Sequence, residues 1–184
     1  MPTIQPDALT AASLSLFASQ TELIATAKLL AAKLLENGQM MGTAESCTGG
    51  LASALLTSLP GSSNWFQGGI IAYSNDIKRK LLAVRPATLA AYGAVSEETA
   101  KEMAQGACAC LCVPCSVAIT GLAGPDGGTA QKKVGLVCFA WAVNGKLSSA
   151  TRHFKGNRDE VRLAAALQAL EGLLSRLQSA QGGE

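Results

Sequence analysis

The sequence predicts an α/β fold: a three-layer α/β/α sandwich around a mixed, largely parallel sheet. Two observations carry this. Strand-like and helical patterns alternate early in the chain, as βα units require, and a hairpin signal follows late. Both Gly-rich turns directly follow predicted strands, which puts them at the edge where open α/β sheets bind ligands.

Residues 1–19 are small, polar and Pro-containing, and read as a loose N-terminal extension or short helix; residues 20–180 read as one domain. Leu23, Ile24, Ala27, Leu30, Ala31, Leu34 and Leu35 fall at helical spacing, and Asn37-Gly38 stops that helix. Met40–Ala44 reads as a short buried strand, and Leu51–Leu59 as a small helix ending before Pro60-Gly61. Gly69–Tyr73 is a second strand and Asp76–Ala83 a helix, after which the chain turns at Arg85-Pro86. Ser96 can cap the next helix, with Glu97 and Glu98 at the positive end of its dipole. Ser116–Thr120 is a third strand. Val134–Val143 is a fourth, buried in pattern, and Asn144-Gly145 turns it into its partner, Leu147–Phe154. Asn157 caps a final helix with Val161, Ala164, Ala165, Leu167, Leu170, Leu174 and Leu177 along its apolar side.

Charge is scarce, at 15% of residues, and the formal net charge is only +2, so neither a polybasic nucleic-acid tail nor an acidic disordered chain is expected. No charged residue lies between Glu45 and Asp76, or between Glu102 and Asp126. Neither stretch reads as a membrane span, which needs ~20 mostly apolar residues, because Gly, Pro and Ser interrupt both. The N-terminus carries Asp7 and no Lys or Arg before Lys28, unlike a signal peptide, so a cytoplasmic protein is expected. Four cysteines cluster at Cys108, Cys110, Cys112 and Cys115. With one Cys-x-x-Cys pair and a single, distant histidine, they read as small apolar residues at a helix end and a strand start rather than as a zinc site.

Three segments could carry chemistry. Glu45-Ser46-Cys47-Thr48-Gly49-Gly50 joins a strand to a helix, so Ser46 projects from a tight turn and the following N–H groups converge on a helix N-terminus; a simple capping turn is the alternative. Tyr73-Ser74-Asn75-Asp76-Ile77-Lys78 follows the second strand. A lysine facing an uncharged cleft loses solvation, its pKa falls, and it can act as a general base; a solvated basic face over Lys78-Arg79-Lys80 is the alternative. Thr120-Gly121-Leu122-Ala123-Gly124-Pro125-Asp126-Gly127-Gly128 is a Gly-rich loop able to aim N–H groups at an anion, and it matches neither a P-loop nor a dinucleotide fingerprint.

These segments, together with Pro60–Phe66 and Gly93–Glu97, resemble the CinA C-terminal domain family, from about Thr21 to Leu177. The stand-alone members of that family are nicotinamide-nucleotide amidohydrolases. The resemblance implies hydrolysis of nicotinamide mononucleotide to nicotinate mononucleotide and ammonia, a step of pyridine-nucleotide salvage. It further implies Ser46 as nucleophile, assisted by Tyr73 and Lys78, with no metal or cofactor. Cys47 is the rival nucleophile on chemical grounds, since thiolates are intrinsically stronger. Glu45, Cys47, Thr48, Gly49, Gly50, Asn75, Thr120, Gly121, Gly124, Gly127 and Gly128 are the expected substrate-binding positions. Longer CinA proteins carry an extra N-terminal domain, which is not expected within these 184 residues. The family commonly has Lys-Pro-Val-Gly where this chain has Lys132-Lys133-Val134-Gly135, and the Cys-rich run is its own. The expected partner is a small-molecule nucleotide, with no nucleic acid or membrane. The apolar run Val134–Val143 suits a central strand or a homodimer interface. Two other functions compete: a non-catalytic competence or damage-inducible binding module, and a nucleotide pyrophosphohydrolase.

Overall fold

A computed structural model describes residues 11–179. Helix α1 (Ala11–Glu36) leads into β1 (Met41–Glu45) and α2 (Leu51–Thr57). A short 3-10 turn at Ser62–Asn64 precedes β2 (Phe66–Ile71), α3 (Asn75–Leu82) and α4 (Pro86–Tyr92). Then come α5 (Glu97–Leu111), β3 (Cys115–Gly121), β4 (Leu136–Val143), β5 (Lys146–His153) and α6 (Arg158–Ser179). The five strands form one sheet in the order β2-β1-β3-β4-β5. β1 pairs in parallel with both β2 and β3, while β3–β4 and β4–β5 are antiparallel. The parallel half is therefore built by the early βα units, and the antiparallel half by the hairpin.

Helices cover both faces, which makes the three layers. On one face Leu23, Leu30 and Leu34 of α1 and Leu170 and Leu173 of α6 pack on Val117, Ile119, Phe139 and Trp141. Phe139 and Trp141 stack with centroids 5.7 Å apart, and the Trp141 indole donates to the Ala169 carbonyl at 2.8 Å. On the other face the central strands β1, β3 and β4 offer small residues, Ala44, Ala118, Ala140 and Ala142, and so α5 lies close through Ala100, Met103, Ala104 and Ala107. A Cβ at Gly106 of α5 would collide with the Leu82 carbonyl, so this glycine sets how closely α3 and α5 pack.

Local signals explain most boundaries. Ser74 and Ser96 cap α3 and α5 by accepting from Ile77 and Thr99 N–H, each at 3.2 Å. Asn157 Oδ1 accepts from Asp159 and Glu160 N–H at the start of α6. Asn144 and Gly145 both have positive φ, 50° and 80°, as the tight hairpin turn requires. Some bounds differ from the sequence reading. α1 begins at Ala11, ahead of the periodicity that opens at Thr21, and residues 1–10 lie outside the described residues. β2 starts at Phe66 and stops before Tyr73. Its Gly69 mimics a strand start in sequence, but the glycine is there because a Cβ would clash with Thr43 and Ser53. Where the sequence suggests only a turn at Arg85-Pro86, the structure has α4, and Pro86 at its first position is a helix-opening signal. Half of the strand pairings are parallel, rather than most.

Cys108 and Cys110 lie on α5, Cys112 ends it with φ 53°, and Cys115 starts β3. All six cysteines are unpaired. No helix among the described residues is long and apolar enough to cross a membrane.

Candidate active site

The carboxyl ends of β1, β2, β3 and β5 share one edge of the sheet, because β5 returns parallel to β3 across β4. Ser46 follows β1, Tyr73 follows β2, and Thr120-Gly121 ends β3. A cavity of about 290 Å³ opens at that edge, and Ser46, Cys47, Tyr73, Lys78, Thr120 and Gly124 are among its lining residues. Larger hollows of about 530 and 560 Å³, beside the β4–β5 turn and beside α4, contain neither Ser46 nor Lys78.

The Ser46 turn is built from its backbone. Ser46 N–H still donates to Ile119 O at 2.9 Å, so the nucleophile candidate is anchored to β3. The chain then reverses through Gly49 and Gly50, with φ 62° and 93°, conformations that favour glycine. Gly49 N–H is used on Ser46 O, at 3.1 Å. Glu45 has no exposed surface, and its carboxylate accepts from Gly50, Ala52 and Ser53 N–H and from the Ser53 hydroxyl, at 2.6–3.2 Å. It therefore does at the start of α2 what a capping side chain does elsewhere.

Lys78, only 1% exposed, reaches back from the first turns of α3 beneath the cavity. Its Nζ lies 2.9 Å from Ser46 Oγ, 2.7 Å from Ala72 O and 3.1 Å from Tyr73 O. No carboxylate is paired with it among the described residues. Burial lowers its pKa from 10.5 to about 8, with Cys47 pulling weakly the other way. A neutral amine has two N–H groups and one lone pair. The two carbonyls can only accept N–H, so in the neutral form they turn the lone pair toward the Ser46 hydroxyl. Cys47 is the opposite case. Burial, and then the negative charge of Glu45, push its thiol up to about 12, so it is no thiolate at neutral pH.

Several expected binding positions sit elsewhere. Glu45 faces α2 rather than the cavity, and the N–H groups of Gly49 and Gly50 are occupied inside the turn, so they are not free for an oxyanion. Thr48, Asn75 and Gly128 do not line the cavity. Thr48 instead gives its carbonyl to Arg162 at 2.9 Å, while its buried hydroxyl finds no partner among the described residues. Cys47, Thr120, Gly121, Gly124 and Gly127 do line it. The Tyr73 side chain is 64% exposed on the rim and its hydroxyl has no partner among the described residues, while Lys78 meets Ser46 directly, without a relay.

The structure adds Arg158, which the sequence reading missed. It stands in the first turn of α6, lines the cavity, and donates to Gly124 O at 2.7 Å. Arginine there runs against the helix dipole, and that mismatch was its legible signal. Among the described residues no three of His, Cys, Asp and Glu converge as metal ligands.

With this geometry in view, relatives can be compared. The family model of the CinA C-terminal domain matches residues 23–177. The chain belongs to the CinA C-terminal domain family. A "CinA-like protein" of Leptospira interrogans is 49% identical over 145 residues, 78% of this chain. This CinA domain spans only about a third of that relative, 35% of its length. The "Nicotinamide-nucleotide amidohydrolase PncC" of Enterobacter agglomerans is 44% identical over 79% of this chain and 89% of its own length. Among solved structures, the competence/damage inducible protein CihA from Agrobacterium tumefaciens superposes with TM-score 0.82 at 42% identity, covering 85% of this chain and 96% of that chain.

Proposed function

We propose that this CinA domain is an amidohydrolase that deamidates nicotinamide mononucleotide, giving nicotinate mononucleotide and ammonia. The observation that carries the reading is the 2.9 Å contact between Lys78 Nζ and Ser46 Oγ at the cavity. The relative named nicotinamide-nucleotide amidohydrolase supports the substrate.

In this scheme neutral Lys78 takes the Ser46 proton directly as Oγ attacks the carboxamide carbon. The scheme asks one N–H to meet the developing oxyanion, and that of Cys47 is the candidate, because Cys47 lines the cavity and its N–H has no main-chain partner among the described residues; one such donor is worth about 3 kcal/mol. Collapse breaks the C–N bond, and protonated Lys78 returns its proton to the departing nitrogen, which leaves as ammonia. A water then loses its proton to Lys78, attacks the acyl-Ser46 ester, and releases the nicotinate carboxylate with Ser46 restored. Tyr73 serves on the rim, its hydroxyl free to meet the substrate. Arg158, already braced on Gly124 O, and the Gly-rich loop receive the substrate phosphate.

The test is ammonia release by the purified protein on nicotinamide mononucleotide, beside free nicotinamide. The parent protein should act on the nucleotide, and Ser46→Ala should lose at least about a thousandfold in turnover while folding normally. Undiminished turnover by Ser46→Ala would remove the nucleophile assignment, and silence of the parent on the nucleotide would remove the substrate.

A further inference from the structure

The turn that leaves the end of α4 toward α5, residues 92–95, forms one wall of the cavity through Ala94 and Val95; Leu122, Ala123, Gly124 and Gly127 of the Gly-rich loop form another. The carbonyls of this turn are held by side chains. Gly93 O accepts from the hydroxyls of Ser96 and Thr99, at 3.0 and 2.7 Å. Ala94 O accepts from the hydroxyl of buried Thr120 at 2.7 Å. Tyr92 O and Val95 O, at the two ends, both accept from Lys132 Nζ, at 2.7 and 2.6 Å.

Lys132 belongs to the far arm of the Gly-rich loop. Its own backbone is pinned across the loop, with Thr129 N–H donating to Lys132 O and Lys132 N–H donating to Thr129 Oγ1. One ammonium group thus bridges two segments that share no strand pairing. Its side chain is half-buried and forms no ion pair with a carboxylate among the described residues. It does not line the cavity.

We infer that Lys132 is a positioning residue: it clamps the 92–95 turn to the Gly-rich loop, sets the width of the cleft between them, and so governs how tightly the nucleotide is held. The kinetic part of this inference rests on the proposed amidohydrolase activity; the clamp itself does not. A charged donor gripping both ends of a turn restricts it more than a neutral hydroxyl at its middle. Loss of the clamp lets the walls separate, which weakens binding more than it slows the chemistry at Ser46.

Two measurements on the full chain test this. In ammonia-release kinetics on nicotinamide mononucleotide, Lys132→Met should raise KM about tenfold, with a smaller fall in kcat. Lys132→Arg, which can still donate to two carbonyls, should restore most of the affinity. In hydrogen–deuterium exchange, Lys132→Met should speed exchange in both the turn and the Gly-rich loop, and leave the sheet unchanged. An unaltered KM in Lys132→Met, an equal loss in Lys132→Arg, or unaltered exchange in either segment would overturn the clamp. If the parent shows no activity on the nucleotide, the proposed function fails, and the exchange measurement alone decides the clamp.

Discussion

The sharpest consequence of the site is a pH dependence set by Lys78. Bringing a lysine from 10.5 to about 8 corresponds to about 3 kcal/mol against its charged form. The cause is burial of Nζ beside two carbonyls and a hydroxyl, with no carboxylate among the described residues to pair it. Only the neutral amine can take the Ser46 proton. The expected kcat/KM on nicotinamide mononucleotide therefore climbs about tenfold per pH unit below pH 8 and levels off above it. At pH 7 about one molecule in ten is poised to react. Stability should follow the same group. Below pH 8 lysine is charged in both the folded and unfolded states, so the cost of burying it is fully present; between pH 8 and 10.5 the unfolded chain binds more protons, and stability rises with pH. Two assays check this: initial rates of ammonia release from pH 6 to 10 under nucleotide-limiting conditions, and urea unfolding of the parent and Lys78→Met across pH 7–10.5. Lys78→Met should be inactive yet at least as stable as the parent at pH 7, and the gap between them should close as pH rises. A flat rate profile, or a limb still climbing steeply above pH 10, would refute the neutral-amine argument.

Three further predictions follow from the same geometry. Cys47→Ala should keep most of its turnover, and thiol-alkylating reagents should not inactivate the parent quickly, because burial holds that thiol near 12; rapid inactivation traced to Cys47 by peptide mass spectrometry would restore it as a nucleophile. Glu45→Ala strands three N–H groups, that of Ala52 buried and those of Gly50 and Ser53 half-buried, and a hydroxyl, and should lower unfolding free energy by about 3 kcal/mol in urea titrations; a change below about 1 kcal/mol would contradict its anchoring role. Arg158→Ala should raise KM for nicotinamide mononucleotide about tenfold but leave nicotinamide riboside, which lacks the phosphate, unaffected; equal losses on both would place Arg158 away from the phosphate.

What was legible in the sequence is what chain-local physics controls. Strands of apolar residues, Ser and Asn caps, and the Asn144-Gly145 turn each write themselves into a few adjacent residues, and the layered α/β architecture follows from their order. Ser46 and Lys78 could be singled out one at a time because each follows a strand. That they touch depends on β1 and β2 being parallel neighbours, which brings both strand ends to one edge. The errors share a cause. Gly49 and Gly50 looked like ligand donors because N–H groups at a helix N-terminus suit anions, and Glu45 was expected at the substrate only through the resemblance, but whether a donor is free depends on who else is near. Here Glu45 consumes the N–H of Gly50 and the Ser46 carbonyl consumes that of Gly49. Tyr73 looked like a relay because sequence proximity to Lys78 says nothing about side-chain direction; its carbonyl bonds to Lys78 while its ring faces out. Arg158 and Lys132 come later in the chain than the segments they bond, Arg158 through a hairpin that returns β5 to the same edge and Lys132 through a loop that reaches the end of α4. Contacts of that range carry no local signature except a mismatch. An arginine in a helix's first turn is such a mismatch, whereas Lys132 carries none, because the carbonyls it holds come from a turn about 40 residues earlier in the chain.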